Sequence, residues 1–382
     1  MAIYLDHNAT TPIAPEVREA MRPYLEDRFG NPSSAHEHGR LARQAVERAR
    51  AQVAALVRCE PDSIVFTASG SEADNLAIKG VAMDLLGEGD HIITSAVEHP
   101  AVLAACRYLE RRLGYRLTVL PVDGSGMVDP EDVRRAIEPG TVLISVMHAN
   151  NEVGTLQPIA EVARTAREYG IALHTDAAQS VGKVALAVNE LGVDLLALTG
   201  HKFYAPKGVG ALYVRPGTRL DSLIHGAGHE HGLRAGTENV PYIVGLGAAC
   251  ALAAQRLRAG APDEVRRLRD RLHEALQSAV PGLALNGHPK NRLPNTLNVS
   301  FPGCDGETLL AGAPSVAAAT GSACHSGRTE PSPVLSAMGL GAERALAAVR
   351  LSLGYQTTAD NVDDAASALA TSAAKVALAS AR

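Results

Sequence analysis

The strongest constraint on how this chain folds is an alternation. Short runs rich in β-branched residues alternate with longer amphipathic stretches, which follow most of them: SIVFT (63–67), HIITS (91–95), RLTVLPV (116–122), TVLISVM (141–147), IALHTD (171–176), DLLALT (194–199) and GVGALYV (208–214). Parallel strands need a crossover connection of a dozen residues or more, and a helix is its usual form. The alternation therefore predicts an α/β fold, a mostly parallel sheet covered by helices.

From Glu238 the Ala-rich GLGAACALAAQRLRAG and then DEVRRLRDRLHEALQ predict a long helical connection. Beyond it the pattern becomes irregular. NTLNVSF and VRLSLG read as strands, TLLAGA as a short helix and NVDDAASALATSAAKVALA as a terminal helix. The organisation expected is an N-terminal segment (1–15) associated with the small domain, a large domain (16–260) and a smaller α+β C-terminal domain (261–382).

Charge and cysteine usage narrow the function class. A formal net charge of −5 over 382 residues argues against a broad electrostatic footprint for nucleic acid or anionic membrane, so a small-molecule substrate is expected. The start, MAIYLDHNATTP, lacks the basic and apolar regions of a signal peptide, and no later segment reads as a bilayer span; a cytoplasmic location is expected. The five cysteines, at 59, 106, 250, 304 and 324, show neither CxxC spacing nor a Cys/His cluster. No metal site is expected, and a reducing compartment fits.

In open α/β sheets, ligands gather beyond the carboxyl ends of the strands, so polar residues there are read together. After SIVFT comes ASGSEADN, where the Ser71 hydroxyl and the backbone N–H groups of a helix start suit a phosphate; Ser71 to Asp74 reads equally as a plain helix cap. Asp176 closes an apolar strand, where a dehydrated carboxylate needs a cation, such as a protonated pyridine nitrogen, or serves as a helix cap. Gln179 lies close by. Lys202, in GHKFYAPKGVG, follows the next strand; burial there would favour the neutral amine that forms Schiff bases, whereas a surface lysine is the ordinary alternative. His99 precedes Pro100 at a helix start and suits either stacking on a flat cofactor or a structural hydrogen bond. Arg350 suits a substrate carboxylate or an interdomain salt bridge. Cys324, in GSACHSGRTEPS, stands in an aperiodic stretch with His325 and Arg328 nearby to favour a thiolate.

Taken together, YLDHNATTP, GNPSSAH, SEADNLAIKG, EHPAVL, MHANNEVGTLQPI, HTDAAQSVGKV, GHKFYAPKGVGALYV, RAGTENV and GSACHSGRTEPSPVL closely resemble the NifS/IscS group of cysteine desulfurases, in the class V aminotransferase superfamily. The resemblance implies a homodimeric fold type I enzyme that uses pyridoxal 5′-phosphate. It implies that Lys202 forms the Schiff base, that Asp176 faces the pyridine nitrogen and that His99 stacks on the ring. Gly70, Ser71, Thr199 and His201 match phosphate contacts, and Thr237 matches a contact reaching in from the other subunit. Asn151 and Gln179 match positions near the cofactor's phenolic oxygen, Asn151 also lying on the substrate side. Arg350 matches the substrate-carboxylate arginine, and Cys324 the cysteine that takes sulfur from L-cysteine as a persulfide, leaving L-alanine. A sulfur-acceptor protein, either an iron-sulfur scaffold or a thiolation enzyme, is the implied partner.

Ser71 stands where many relatives have Thr, Ala227 and His229 where Gly and Gln are more usual, and the chain ends at Arg382 without the longer scaffold-binding tail of housekeeping members. Rival readings are a selenocysteine lyase, a small-amino-acid aminotransferase and a non-catalytic protein on the same scaffold. The GSAC setting of Cys324 speaks against transamination, and the full set of site residues against a retired enzyme.

Overall fold

The computed structural model describes residues 2–321, 323–325 and 328–380, with backbone alone for 323–325, 328–329 and 379–380. Strand β1 is Ile3–Tyr4. The large sheet is made of β2 (Ile64–Thr67), β3 (His91–Ser95), β4 (Arg116–Leu120), β5 (Thr141–Ser145), β6 (Ala172–Asp176), β7 (Leu195–Thr199) and β8 (Gly210–Val214). The remaining strands are β9 (Ala284–Asn286), β10 (Thr296–Ser300), β11 (Val316–Ala317), β12 (Ala323–His325), β13 (Arg328–Glu330) and β14 (Ala348–Ser352).

The large sheet runs β2-β8-β7-β6-β5-β3-β4. Its strands are parallel except β8, which lies antiparallel between β2 and β7. Strand β4 stops at Leu120 because Pro121 has no N–H for the ladder. Alternate residues serve opposite faces. Ile64, Phe66, Ile93, Ile144, Leu196 and Tyr213 pack with the helices Glu37–Val57, Ile159–Tyr169 and Val240–Arg258. Val65, Ile92, Leu143, Leu195 and Leu212 pack with Gly70–Asp84 and Pro100–Leu113. A sheet covered on both faces is why these runs are apolar throughout.

The helix Val240–Arg258 corrects one expectation. Its length and mean hydropathy of 1.3 suffice to cross a bilayer, which the sequence reading had not expected of any segment. In the fold, Ile243, Leu246, Ala249, Cys250 and Ala253 are buried in the core shared with Val46, Val53 and Met21, and that packing accounts for the apolar composition. Gly260, at φ 72°, then turns the chain into the helix Ala261–Ala279.

A second core lies around the three-stranded antiparallel sheet β14-β10-β9. Leu297, Val299, Val349 and Leu351 pack there against Leu272 and Leu276 of the helix Ala261–Ala279 and against Val362, Ala365 and Leu369 of Ala359–Ser380. Strand β1 pairs in parallel with β11, and Leu5 is buried in this second core. The helix Pro15–Leu25 instead places Val17, Met21 and Tyr24 in the core of the large sheet.

Candidate active site

The carboxyl ends of β2, β3, β6 and β7 open on one edge of the large sheet, and a cavity of about 540 Å³ lies there. Gly70, Ser71, His99, Asn151, Asp176, Gln179, Thr199, His201, Lys202 and Arg350 all line it. Thr237 does not: it lines a smaller cavity of about 130 Å³ with Glu230, Arg234 and Gly236. Cys324 lies in β12, which pairs with β13. Its side chain, like those of His325 and Arg328, lies outside the described residues.

One end of the cavity is built for an anion. The helix Gly70–Asp84 is capped by Ser69, whose hydroxyl accepts from the Glu72 N–H at 3.1 Å, while the Glu72 carboxylate accepts from the Ala68 N–H at 3.0 Å. This reciprocal cap replaces the one read from Ser71 to Asp74 and places Ser71 in the first turn, where backbone N–H groups have no intrahelical partner. A Cβ added to Gly70 would meet the Thr199 Cβ at 3.1 Å, so the absent side chain is what lets the helix start sit against the end of β7. Across the cavity, the Gly208 turn takes φ +84° and brings Lys207 to the lining.

The acid lies on the floor. Asp176 is buried, and its Oδ1 accepts from the Ala178 N–H at 2.8 Å. Burial raises its pKa above the ordinary carboxylate value, and Oδ2 has no protein partner among the described residues. One oxygen thus caps a turn while the other remains for a ligand cation, so the two sequence readings are compatible.

Lys202 follows β7 in a short turn, Gly200–Lys202. Its Nζ donates to the carbonyls of Asn8 at 2.7 Å and Ala9 at 2.8 Å. Burial, and then the charge of Arg350, lower the amine to about 8 against the opposing pull of Asp176 and Asp6. His201 is pushed down to about 4, by burial first and Lys202 next, and its Nδ1 meets the Thr10 hydroxyl at 3.1 Å. His99 caps the helix Pro100–Leu113: Nδ1 accepts from the Ala101 N–H at 3.1 Å, so the neutral ring carries its proton on Nε2. Burial lowers its pKa as well.

Arg350 faces the cavity and forms a salt bridge, but to Asp6, which makes a β-bridge with Ser352 of Arg350's own strand, so the pair is not the interdomain one expected. One guanidinium nitrogen donates to Asp6 at 2.8 Å, another to the Asn151 carbonyl at 3.2 Å, and Nε is buried with no hydrogen-bond partner among the described residues. Gln179 donates to the Asn8 carbonyl at 3.0 Å and accepts from Lys183 at 2.8 Å.

Several lining or supporting residues escaped the sequence reading. Asn8 and Ala9 sit in an aperiodic N-terminal segment whose importance lies in contacts far along the chain. Asp74 is buried with Oδ1 3.5 Å from His174 Nε2, and burial followed by the charges of Asp176 and Glu98 raises its pKa well above the ordinary value. Its helical position disguised it as a cap. Lys207, directly after Pro206, gave only the signal of a tight turn.

Taken as chemistry, the cavity joins a partly neutral amine, a buried acid, an anion-binding helix start and a guanidinium. Residues 3–364 match the Aminotransferase class-V family. The chain is 49% identical over 366 residues to a protein of Dictyoglomus turgidum named cysteine desulfurase IscS, covering 94% of this chain and 92% of that one. Among solved structures, a NifS-like protein superposes with a TM-score of 0.90 at 37% identity, covering 97% of this chain and 99% of that one. Another, described as SspA in complex with cysteine, gives 0.80 at 39% identity, covering 92% and 98%.

Proposed function

The chain belongs to the class-V aminotransferase family and is a pyridoxal 5′-phosphate-dependent cysteine desulfurase of the NifS/IscS type; from that premise we propose the part each of its residues takes. The observation that carries the assignment is the convergence of Lys202, Asp176 and the Gly70–Ser71 helix start on one cavity. An amine, an acid with one oxygen not bonded to the protein and a helix start whose N–H groups lack intrahelical partners suit a group bearing an aldehyde, a ring nitrogen that takes a proton and a phosphate.

Gly70, Ser71, Thr199 and His201 hold the phosphate, Asp176 the ring nitrogen, and Asn151 and Gln179 the phenolic side, with His99 over the ring. Bound through Lys202, the cofactor supplies an electron sink for the bonds at the substrate's Cα. Arg350 receives the carboxylate of L-cysteine, which competes with Asp6 for the guanidinium. Lys202, once freed, takes the Cα proton as its neutral amine, the form that burial favours. His99 moves a proton through Nε2. Cys324 then takes the substrate sulfur: the substrate's C–S bond breaks, an S–S bond forms on the enzyme, and the carbon skeleton leaves as L-alanine after reprotonation. The products balance as L-alanine and one enzyme persulfide from L-cysteine and one thiol. The persulfide passes to an acceptor protein of an iron-sulfur or thiolation pathway, and two copies of the chain form a dimer in which Thr237 serves the partner's phosphate site.

The test is Cys324→Ala. The purified variant is expected to keep the visible cofactor band while alanine formation from L-cysteine falls by more than about a hundredfold. Undiminished turnover would remove Cys324 from the reaction. Transamination would appear instead as conversion of the cofactor to its amine form by alanine.

A further inference from the structure

Behind Gln179 lies a second buried amine. Lys183 is 7% exposed and pairs with no carboxylate among the described residues. Its Nζ donates to Gln179 Oε1 at 2.8 Å and to Asn8 Oδ1 at 2.9 Å. Burial, then Lys202 and Arg350, hold its pKa well below the ordinary value. A neutral amine has two N–H groups, and here two oxygens receive them.

That arrangement decides the direction of two side-chain amides. An amide has an oxygen end and an NH₂ end of nearly the same shape, and only its hydrogen-bond partners distinguish them. The amine has one lone pair for two NH₂ groups, so both amides cannot be turned over together, and turning Gln179 alone would also set its oxygen against the Asn8 carbonyl, which only accepts. Asn8 is held the same way from a second side, because Asn295 also donates to its Oδ1 at 3.0 Å. Its Nδ2 accordingly points to the Thr296 hydroxyl at 2.8 Å and the Asn151 carbonyl at 3.2 Å. For Gln179 the outcome is that Nε2 donates to the Asn8 carbonyl at 3.0 Å and has one further N–H for the cavity that the residue lines.

We propose that Lys183 is a positioning residue for the cofactor: together with the Asn8 carbonyl it fixes the Gln179 amide so that the cavity wall presents an N–H donor, and not a carbonyl oxygen, to the phenolic side of the ring. The inference rests on the reading above that puts Gln179 at that side. A donor there favours the ionised phenolic oxygen and so weakens the hold of the neighbouring nitrogen on its proton.

The experiment titrates the visible band of the holoenzyme against pH in wild type, Lys183→Met, Gln179→Met and the double variant, with retention of the band on dialysis as a second readout. Lys183→Met is expected to raise the band's pH midpoint by about one unit and to weaken cofactor retention about tenfold. In the Gln179→Met background the same substitution is expected to add nothing, because Lys183 acts through that amide. Lys183→Arg, which can only donate, is expected to restore the wild-type midpoint. If the Met variant does not fold, Lys183→Gln asks the same question, since an amide no longer enforces the choice. Lys202, Arg350, His7 and His201 interact with the charge of Lys183; Asp74, His99, Asp176 and Lys207 also line the cavity; all are unchanged across the series. An unmoved midpoint in Lys183→Met, or an equal shift with and without Gln179, overturns the inference. A wild-type protein with no band, or a band that survives Lys202→Ala, refutes the underlying reading instead.

Discussion

Lys202 must be neutral often enough to react and yet stand close to other cations. At about 8 its amine is mostly protonated at pH 7 and mostly free at pH 9. The sign follows from the causes: burial and Arg350 both penalise the ammonium, so the folded protein binds that proton less tightly than free lysine does. The rate at which apo-protein captures pyridoxal phosphate is therefore expected to rise about tenfold per pH unit up to a midpoint near 8, then level off. Arg350→Gln removes a cation and should move that midpoint upward; stopped-flow absorbance measures both. A midpoint unchanged in Arg350→Gln would mean that the guanidinium does not act on the amine. Lys202→Ala abolishes the band altogether.

Strands that end at a common edge deliver these groups, and that much was legible in the sequence. The run ending in Thr199 is apolar up to that residue and the one ending in Asp176 is buried from Leu173 onward, so a charged or polar group in the last place is put at the mouth by the strand itself. What was not legible depends on partners far along the chain. The Ser69 cap wins over Ser71 because Glu72 stands three residues after Ser69 and returns its carboxylate to Ala68. Asn8 owes its place to Lys183, Gln179, Asn295 and Thr296, none of them its sequence neighbour. Glu230 shows the same at the level of an element. It lies in a tight turn at φ 49° and forms a buried bidentate pair with Arg50, at 2.8 Å to each nitrogen, while accepting from the Phe66 N–H at 2.7 Å. The pair ties the segment leading to Thr237 onto the edge strand β2. Glu230→Gln leaves the buried Arg50 with only the exposed Glu47 carboxylate at 3.3 Å as counterion and is expected to lower unfolding free energy by up to roughly 3–5 kcal/mol, read as a lower urea midpoint with an unchanged slope. A midpoint within experimental error of wild type would show that Arg50 finds another partner.

At the scale of the whole molecule, the odd member of the site is Thr237. Every other described position that the resemblance assigned to the cofactor lines the 540 Å³ cavity, whereas Thr237 lines a separate one on the same chain. Arg234 is bound to Glu72 at 2.8 Å and Glu230 to Arg50 ahead of Thr237, and the helix Val240–Arg258 begins three residues after it, so the segment has little freedom to swing into its own site. A second copy presenting this segment resolves the discrepancy, and complementation distinguishes the two geometries. Mixed dimers are formed from one Lys202→Ala subunit and one Thr237→Val subunit. If Thr237 acts across the interface, the cavity of the Thr237→Val subunit has its own Lys202 and receives an intact Thr237 from its partner, so the mixed dimer regains one site with wild-type cofactor affinity. If Thr237 acts within its own chain, that same cavity is the damaged one and affinity stays at the level of the Thr237→Val homodimer. Titrating separated mixed dimers with pyridoxal phosphate reads the difference directly: about half the wild-type number of sites at full affinity for the first arrangement, and none for the second.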